Sequence, residues 1–249
     1  MRLADTFAIG GAAHPGPDFP AFELGRRRLY LRRDLGHAAP AILARLAELR
    51  SVAGVGNRRS GFVIKLDDAD IFARRSRRGG MMRLLLDDIY LGLRARPATE
   101  LAIAAEALRR GIPVAEPLGA MAEWIAPCAY RGFFLTRAMA GMTLWDFVRT
   151  DDDPHVRRHV IEIARGAIAT MHRMGLFHAD LNLHNLFVTH SRDSFAVVIL
   201  DLDKARLFRG PLPSRLRANN LLRLRRSARK LDPGLRYLDD DALESLVRL

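Results

Sequence analysis

The segment that most limits how this chain can fold is Pro154 to Asp203, because it commits five consecutive pieces of structure in a fixed order. Val156, Val160, Ala164, Ile168 and Met171 recur at helical spacing, so Pro154 to Arg173 is expected as a helix with one apolar stripe. The acidic run Asp151 to Asp153 caps its start, where negative charge is favoured, and Gly175 ends it. A polar stretch follows, His178-Ala-Asp-Leu-Asn-Leu-His-Asn185, then a strand at Leu186 to Val188, a turn at His190 to Ser194, and a strand at Phe195 to Leu200. This order brings Asp180, in the loop, and Asp201, after the second strand, to the same mouth.

The intervals in the loop are those of a phosphoryl-transfer site. A His precedes an Asp by two residues and an Asn follows that Asp by five, as in the protein-kinase catalytic loop. Such transfer needs an acceptor hydroxyl aligned with phosphorus and counter-charge on the phosphate oxygens. Asp180 is the candidate to orient and deprotonate the hydroxyl. Asn185 and Asp201 offer the hard oxygen donors that Mg2+ prefers, and Asp203 is grouped with them as a candidate ligand. His178 and Asn182 are grouped with Asp180 as candidate catalytic residues; His178 is expected to support the loop by hydrogen bonding, with direct catalysis as the alternative. Asn182 and His184 have two readings: facing nucleotide or substrate, or bracing the loop through side-chain to backbone bonds.

Composition narrows the search for a phosphate-binding cation. Of 40 basic residues only Lys65, Lys204 and Lys230 are lysines. Lys65 in Val63-Ile-Lys65 superficially matches a kinase V-A-I-K strand. It lies in the strand directly after the glycine turn Gly54-Val-Gly-Asn-Arg-Arg-Ser-Gly61, whereas the kinase lysine lies one strand further on. That position is Arg74, which replaces a point charge with a planar fork. Gly54 and Gly56 are the candidate phosphate-covering glycines. The helix expected near Ala98 to Arg110 offers Glu100, at the margin of its apolar stripe, as the carboxylate that holds the cation; Glu106 points almost opposite.

The remaining composition bounds the class. The chain has 249 residues with 49% apolar and 27% charged content, enough for one large domain or two lobes around a cleft. A single cysteine, Cys128, gives no disulfide framework and no CxxC metal site, favouring a reducing compartment. A membrane span and a signal peptide are not expected. The net charge of +12 would attract polyanions of several kinds. Nucleic acid is not an expected partner, since no recognition motif or aromatic stacking pattern accompanies the charge. The expected division is an N-terminal extension at 1–50 without assigned chemistry, an N-lobe at 51–137, and a C-lobe at 138–249.

These motifs together resemble the bacterial lipopolysaccharide sugar kinases. The resemblance rests on Arg77-Arg-Gly-Gly80, Gly111-Ile-Pro-Val-Ala115, His178 to Asn185, Leu200-Asp-Leu-Asp203 and the tail Arg217-Ala-Asn-Asn-Leu-Leu-Arg-Leu-Arg-Arg-Ser227, and runs from about Gly54 to Lys230. It implies an α+β, bilobal protein-kinase-like fold with a small β-rich N-lobe and a mainly helical C-lobe. It also implies transfer of the ATP γ-phosphate to a hydroxyl of 3-deoxy-D-manno-octulosonic acid (Kdo) on a lipid A precursor, at the cytoplasmic face of the inner membrane, with Asp180 as acid-base residue. Asp203, where protein kinases have glycine, agrees with this family. Three departures are Ala115 for a second proline, Leu202 for Phe, and an unmatched stretch at Met121 to Tyr130. A heptose or other hydroxylated acceptor is the alternative within the fold; a membrane-associated pseudokinase is the alternative outside catalysis. Ten basic residues against Asp232 between Ala205 and Arg236 suggest contact with an anionic membrane surface.

Overall fold

The computed structural model describes residues 15–52, 61–67, 69–75, 89–92, 95–191 and 194–248. The glycine turn with Gly54 and Gly56, and the Arg77 to Gly80 motif, lie outside the described residues. The described residues divide into two compact units, one made of those up to Ala105 with Glu116–Ala138, the other of Glu106–Ala115 with those from Met139 onward.

The first unit is built on an antiparallel sheet of seven strands: β1 (Ala21–Leu24), β2 (Arg27–Leu31), β3 (Gly61–Ile64), β4 (Ile71–Arg75), β5 (Tyr90–Leu91), β6 (Pro117–Ala126) and β7 (Ala129–Arg137). Their order is β1-β2-β6-β7-β4-β3, with β5 also paired to β7. Helix α1 (Ala39–Val52) lays Ile42, Leu43 and Leu46 into a core with Leu29, Leu31, Ile71, Leu118 and Leu135. The segment before residue 50, to which the sequence assigns no chemistry, thus supplies two strands and the helix that covers them. The β6–β7 hairpin occupies the Met121 to Tyr130 stretch that matches no motif. The first six residues of β6 are buried one after another, so the alternation that marks a half-exposed strand is missing. Gly119 of β6 is required by close approach: a Cβ there would meet the Tyr30 carbonyl oxygen at 2.5 Å.

Helix α2 (Arg96–Arg109) runs out of the first range into the second, and Gly111 ends it at φ 74°. The chain then returns through Pro113, whose carbonyl accepts the Ile199 N–H at 2.7 Å, while the Ala115 N–H donates to the Ile199 carbonyl at 3.3 Å. A proline at position 115 would lack that donor, so the departure at Ala115 gains a hydrogen bond.

The second unit is mainly helical, with α3 (Leu144–Thr150), α4 (Pro154–Arg173), α5 (Ser214–Leu231) and α6 (Asp240–Val247). Asp153 caps α4, its Oδ1 accepting from the N–H groups of His155 at 2.7 Å and Val156 at 3.4 Å, with Pro154 in the first turn. Strands β8 (Met142–Thr143), β10 (Leu186–Ser191) and β11 (Ser194–Ile199) form one small sheet, and β9 (Leu176–Phe177) pairs with β12 (Arg206–Leu207). The β10–β11 register runs from Leu186 opposite Ile199 to Ser191 opposite Ser194. Residues 185 and 200 therefore leave the hairpin side by side.

Between α5 and α6 the chain turns around the buried Asp232, whose carboxylate accepts from the backbone of Arg236, Tyr237 and Leu238 at 2.8–2.9 Å. Burial pushes this carboxyl up, but the three N–H donors, with Arg236, outweigh it and leave the pKa below the ordinary value. Removing the acceptor strands these donors, so Asp232→Ala is expected to cost about 2–3 kcal/mol in urea denaturation at pH 7, and Asp232→Asn less. An unchanged midpoint in Asp232→Ala would show that the turn contributes nothing to stability.

Candidate active site

The loop after β9 is held from below by one buried imidazole. His178 is fully buried; its Nε2 lies 2.8 Å from the Leu200 carbonyl oxygen, and its Nδ1 lies 3.1 Å from the Asp180 backbone nitrogen. A carbonyl can only accept and an N–H can only donate, which fixes the tautomer with the proton on Nε2. Burial lowers the His178 pKa, keeping the ring neutral and that tautomer in place. The ring thereby connects the backbone of Asp180 to the residue just before Asp201. It serves as a positioning group inside the loop.

The two asparagines complete the loop. Asn182 Oδ1 accepts from the N–H groups of His184 at 2.9 Å and Asn185 at 3.2 Å, capping a short 3-10 turn at Leu183–Asn185. Its Nδ2 donates to the Asp180 carbonyl at 2.9 Å, so the bracing reading accounts for both ends of this amide. Asn185 Nδ2 donates to the same carbonyl at 2.8 Å. That bond orients the Asn185 amide with Oδ1 as its remaining acceptor, the atom type a hard cation takes. The Leu200 N–H donates to the Asn185 carbonyl at 2.9 Å, fastening the loop again beside Asp201. Asp201 adopts φ 58°, the left-handed region that non-glycine residues occupy at a cost, commonly at functional sites.

Asp180, Asn182, Asn185 and Asp201 all line a cavity of about 800 Å³. Helix α5 contributes Arg223, Arg226 and Lys230 to the same cavity. Arg223 Nη1 lies 3.6 Å from Asp180 Oδ1. His184 also reaches the cavity, whereas Asp203, half-buried, is not on its wall. Among the described residues no cluster of three acidic, His or Cys side chains forms a metal site; Asn185 and Asp201 are among the side chains that offer oxygen donors to the cavity.

Sequence reading missed the support beneath this loop. Asn220 of α5 is buried; its Nδ2 donates to the His178 carbonyl at 2.6 Å and its Oδ1 lies 3.4 Å from the His178 nitrogen and 3.3 Å from His172 Nε2. A signal was present: Asn220, Leu224 and Ala228 form the buried stripe of α5 at intervals of four, and an amide on such a stripe requires partners.

In the sheet unit, Arg74 on β4 places Nη2 2.5 Å from Glu100 Oε1 on α2 and stands over the Phe134 ring at 5.8 Å. Glu100 is buried, so its charge needs this partner. Lys65 is exposed just beyond the end of β3. Glu106 pairs instead with Arg109 and Arg110.

A family profile described as the lipopolysaccharide kinase (Kdo/WaaP) family matches residues 45–243. The chain belongs to this family. It is 31% identical over 179 residues to a 3-deoxy-D-manno-octulosonic acid kinase of Xylella fastidiosa (strain M23), covering 71% of this chain and 68% of that protein. Its identity to the protein of the same name in Xanthomonas campestris pv. campestris (strain B100) is 35% over 169 residues, covering 64% and 61%. A solved structure titled "WaaP in complex with acyl carrier protein" superposes with a TM-score of 0.55 at 18% identity, covering 89% of both chains. The fold is therefore protein-kinase-like, as the α+β expectation stated, and this lipopolysaccharide kinase is a phosphotransferase acting on a sugar hydroxyl. Among its described residues no helix is long and apolar enough to cross a membrane.

The support under the loop gives the kinase a pH dependence. Burial, opposed by Asn220 and reinforced by Arg217, lowers His172 to about 4. An unfolded His titrates near 6.5, so between these values the unfolded chain binds more protons and stability falls as pH falls. The loss is roughly 2 kcal/mol on going from pH 7.5 to 5. His172→Gln, which can still donate to Asn220, is expected to flatten that part of the urea-stability profile; an identical slope in both proteins would reject this origin.

Proposed function

We propose that this chain is an ATP-dependent kinase that transfers the γ-phosphate to a hydroxyl of Kdo on a lipid A precursor. The observation carrying this reading is the convergence of Asp180, Asn185 and Asp201 on one cavity, on a loop whose backbone is held at both ends by His178 and Asn185. The Kdo kinase names of the relatives support the choice of acceptor.

In this reading Asp180, exposed in the cavity, accepts a hydrogen bond from the acceptor hydroxyl and takes its proton as the oxygen attacks phosphorus. The carbonyl of Asp180 is held by Asn182 and Asn185 and its N–H by His178, so only its side chain is left to move. Asn185 Oδ1 and the Asp201 carboxylate would hold Mg2+, a donor set of the hard type this cation takes. The chemistry supplied there would be counter-charge for the nucleotide phosphates. Arg74, held by Glu100, supplies positive charge to the phosphates in place of a lysine. An acceptor anchored in lipid would be met at the cytoplasmic face of the inner membrane, where each basic group near an anionic surface contributes on the order of 1 kcal/mol.

Incubation with ATP, Mg2+ and Kdo-bearing lipid A precursor is expected to add one phosphate to the lipid by mass spectrometry. Asp180→Ala should slow transfer by roughly 10²–10⁴-fold with its urea midpoint retained; wild-type turnover by that variant would sink the mechanism. Arg74→Ala is expected to raise the ATP KM and lower kcat/KM at least tenfold, whereas Lys65→Ala stays within about twofold. The reverse pattern would transfer the phosphate contact to Lys65.

A further inference from the structure

Helix α5 carries positive charge on two faces with different surroundings. Arg225 Nη2 lies 2.8 Å from Glu244 Oε1 and Arg229 Nη2 lies 3.9 Å from Asp240 Oδ1, so this pair of arginines turns to α6. Arg223, Arg226 and Lys230, separated by three and four residues, share another face and line the cavity with Asp180. Arg223 lies beside Asp180. Arg226 and Lys230 have no ion-pair partner among the described residues. Asn219 and Ser227 add neutral polar groups to the same wall.

Like charges one helical turn apart repel, and helices favour opposite charges at this spacing. The arrangement becomes favourable once an anion sits between the two cations. An arginine fork matches the two oxygens of a carboxylate or phosphate, and a lysine supplies a mobile point charge beside it. Asp180 lines the same cavity and Arg223 of this face reaches it, so an anion held there sits in the space that the molecule whose hydroxyl Asp180 would activate has to enter.

We propose that Arg226 and Lys230 form the acceptor's oxyanion site, binding a sugar carboxylate or a phosphate monoester and thereby setting the acceptor hydroxyl against Asp180. The site rests on the reading of this cavity as the place of phosphoryl transfer to an anionic sugar. It assigns to acceptor recognition two side chains of a helix whose charge, taken from sequence alone, points only to a membrane surface.

Steady-state kinetics with ATP and Kdo-bearing lipid A precursor tests it through four single variants of equal charge change. Arg226→Gln and Lys230→Gln are each expected to raise the acceptor KM about tenfold or more, the scale of a lost charge-assisted hydrogen bond, while the ATP KM moves less than about threefold. Arg225→Gln and Arg229→Gln should leave the acceptor KM within about twofold. An effect on ATP KM alone, or equal effects from all four variants, overturns the proposal: the first assigns the face to nucleotide, the second to unspecific attraction. Ligand-induced thermal stabilisation supplies a readout independent of turnover, with free Kdo and glucose 6-phosphate as probes and glucose as neutral control. Saturable stabilisation by Kdo alone identifies a carboxylate site, and by glucose 6-phosphate alone a phosphate site; both responses should disappear in the Arg226→Gln, Lys230→Gln double variant. If the wild type binds these anions through the two residues yet fails to phosphorylate the lipid, the Kdo-kinase reading is wrong and the anion site stands. If the wild type phosphorylates the lipid while neither binding nor acceptor KM depends on the two residues, the site is wrong and the kinase reading stands.

Discussion

The geometry of the loop from His178 to Asn185 depends on the neutral imidazole of His178. A neutral ring has one donor and one acceptor, and here the donor faces the Leu200 carbonyl while the acceptor faces the Asp180 N–H. The two carboxylates of the cavity lie on different parts of the chain, yet one rigid five-membered ring sets the backbone of both. Protonation would replace the acceptor with a second donor aimed at an N–H. Burial makes that state unfavourable, so the same burial that hides the residue also maintains the loop. Asn220 repeats the logic one layer down, meeting the His178 carbonyl and nitrogen with its two amide ends. Each such bond is worth only about 1 kcal/mol net, but a buried group left without its partner costs about 1–3 kcal/mol.

The Arg74–Glu100 pair shows a different constraint. Glu100 is buried and charged, which is tolerable only with a cation in contact. A chain with three lysines among 40 basic residues meets this need with arginine. Arginine stays charged when desolvated, and its fork can serve the carboxylate with one edge while presenting the other. Phe134 beneath the guanidinium limits its orientation further.

Charge on α5 is divided by the helix itself. Residues 223, 226 and 230 fall on one side of a 3.6-residue spiral and 225 and 229 on another, so a run that reads as uniformly basic separates into an internal brace to α6 and a wall of the cavity. The buried carboxylate of Asp232 fixes where α5 stops and the chain turns toward α6.

Much of this protein was legible in its residues because the relevant information is local. The α4 stripe and the choice of Glu100 over Glu106 follow from helical periodicity, the Asp153 cap from the acidic run before the helix, the β10–β11 hairpin from two apolar runs around a polar turn, and the intervals joining His178, Asp180 and Asn185 from their match to a kinase loop motif. Strand β6 and the two strands before residue 50 were not legible, since a strand buried on both faces loses its alternation and β2 owes its inner pairing to β6, far along the chain. Tertiary structure alone decided that Asn182 braces the loop, that Asn220 and His172 stand beneath it, and that Arg226 and Lys230 line the same cavity as the carboxylates. The physical reason is common to all of them: periodicity says which side a residue takes, but the partner for a buried amide or an exposed charge comes from another segment, and only packing brings that segment within bonding distance.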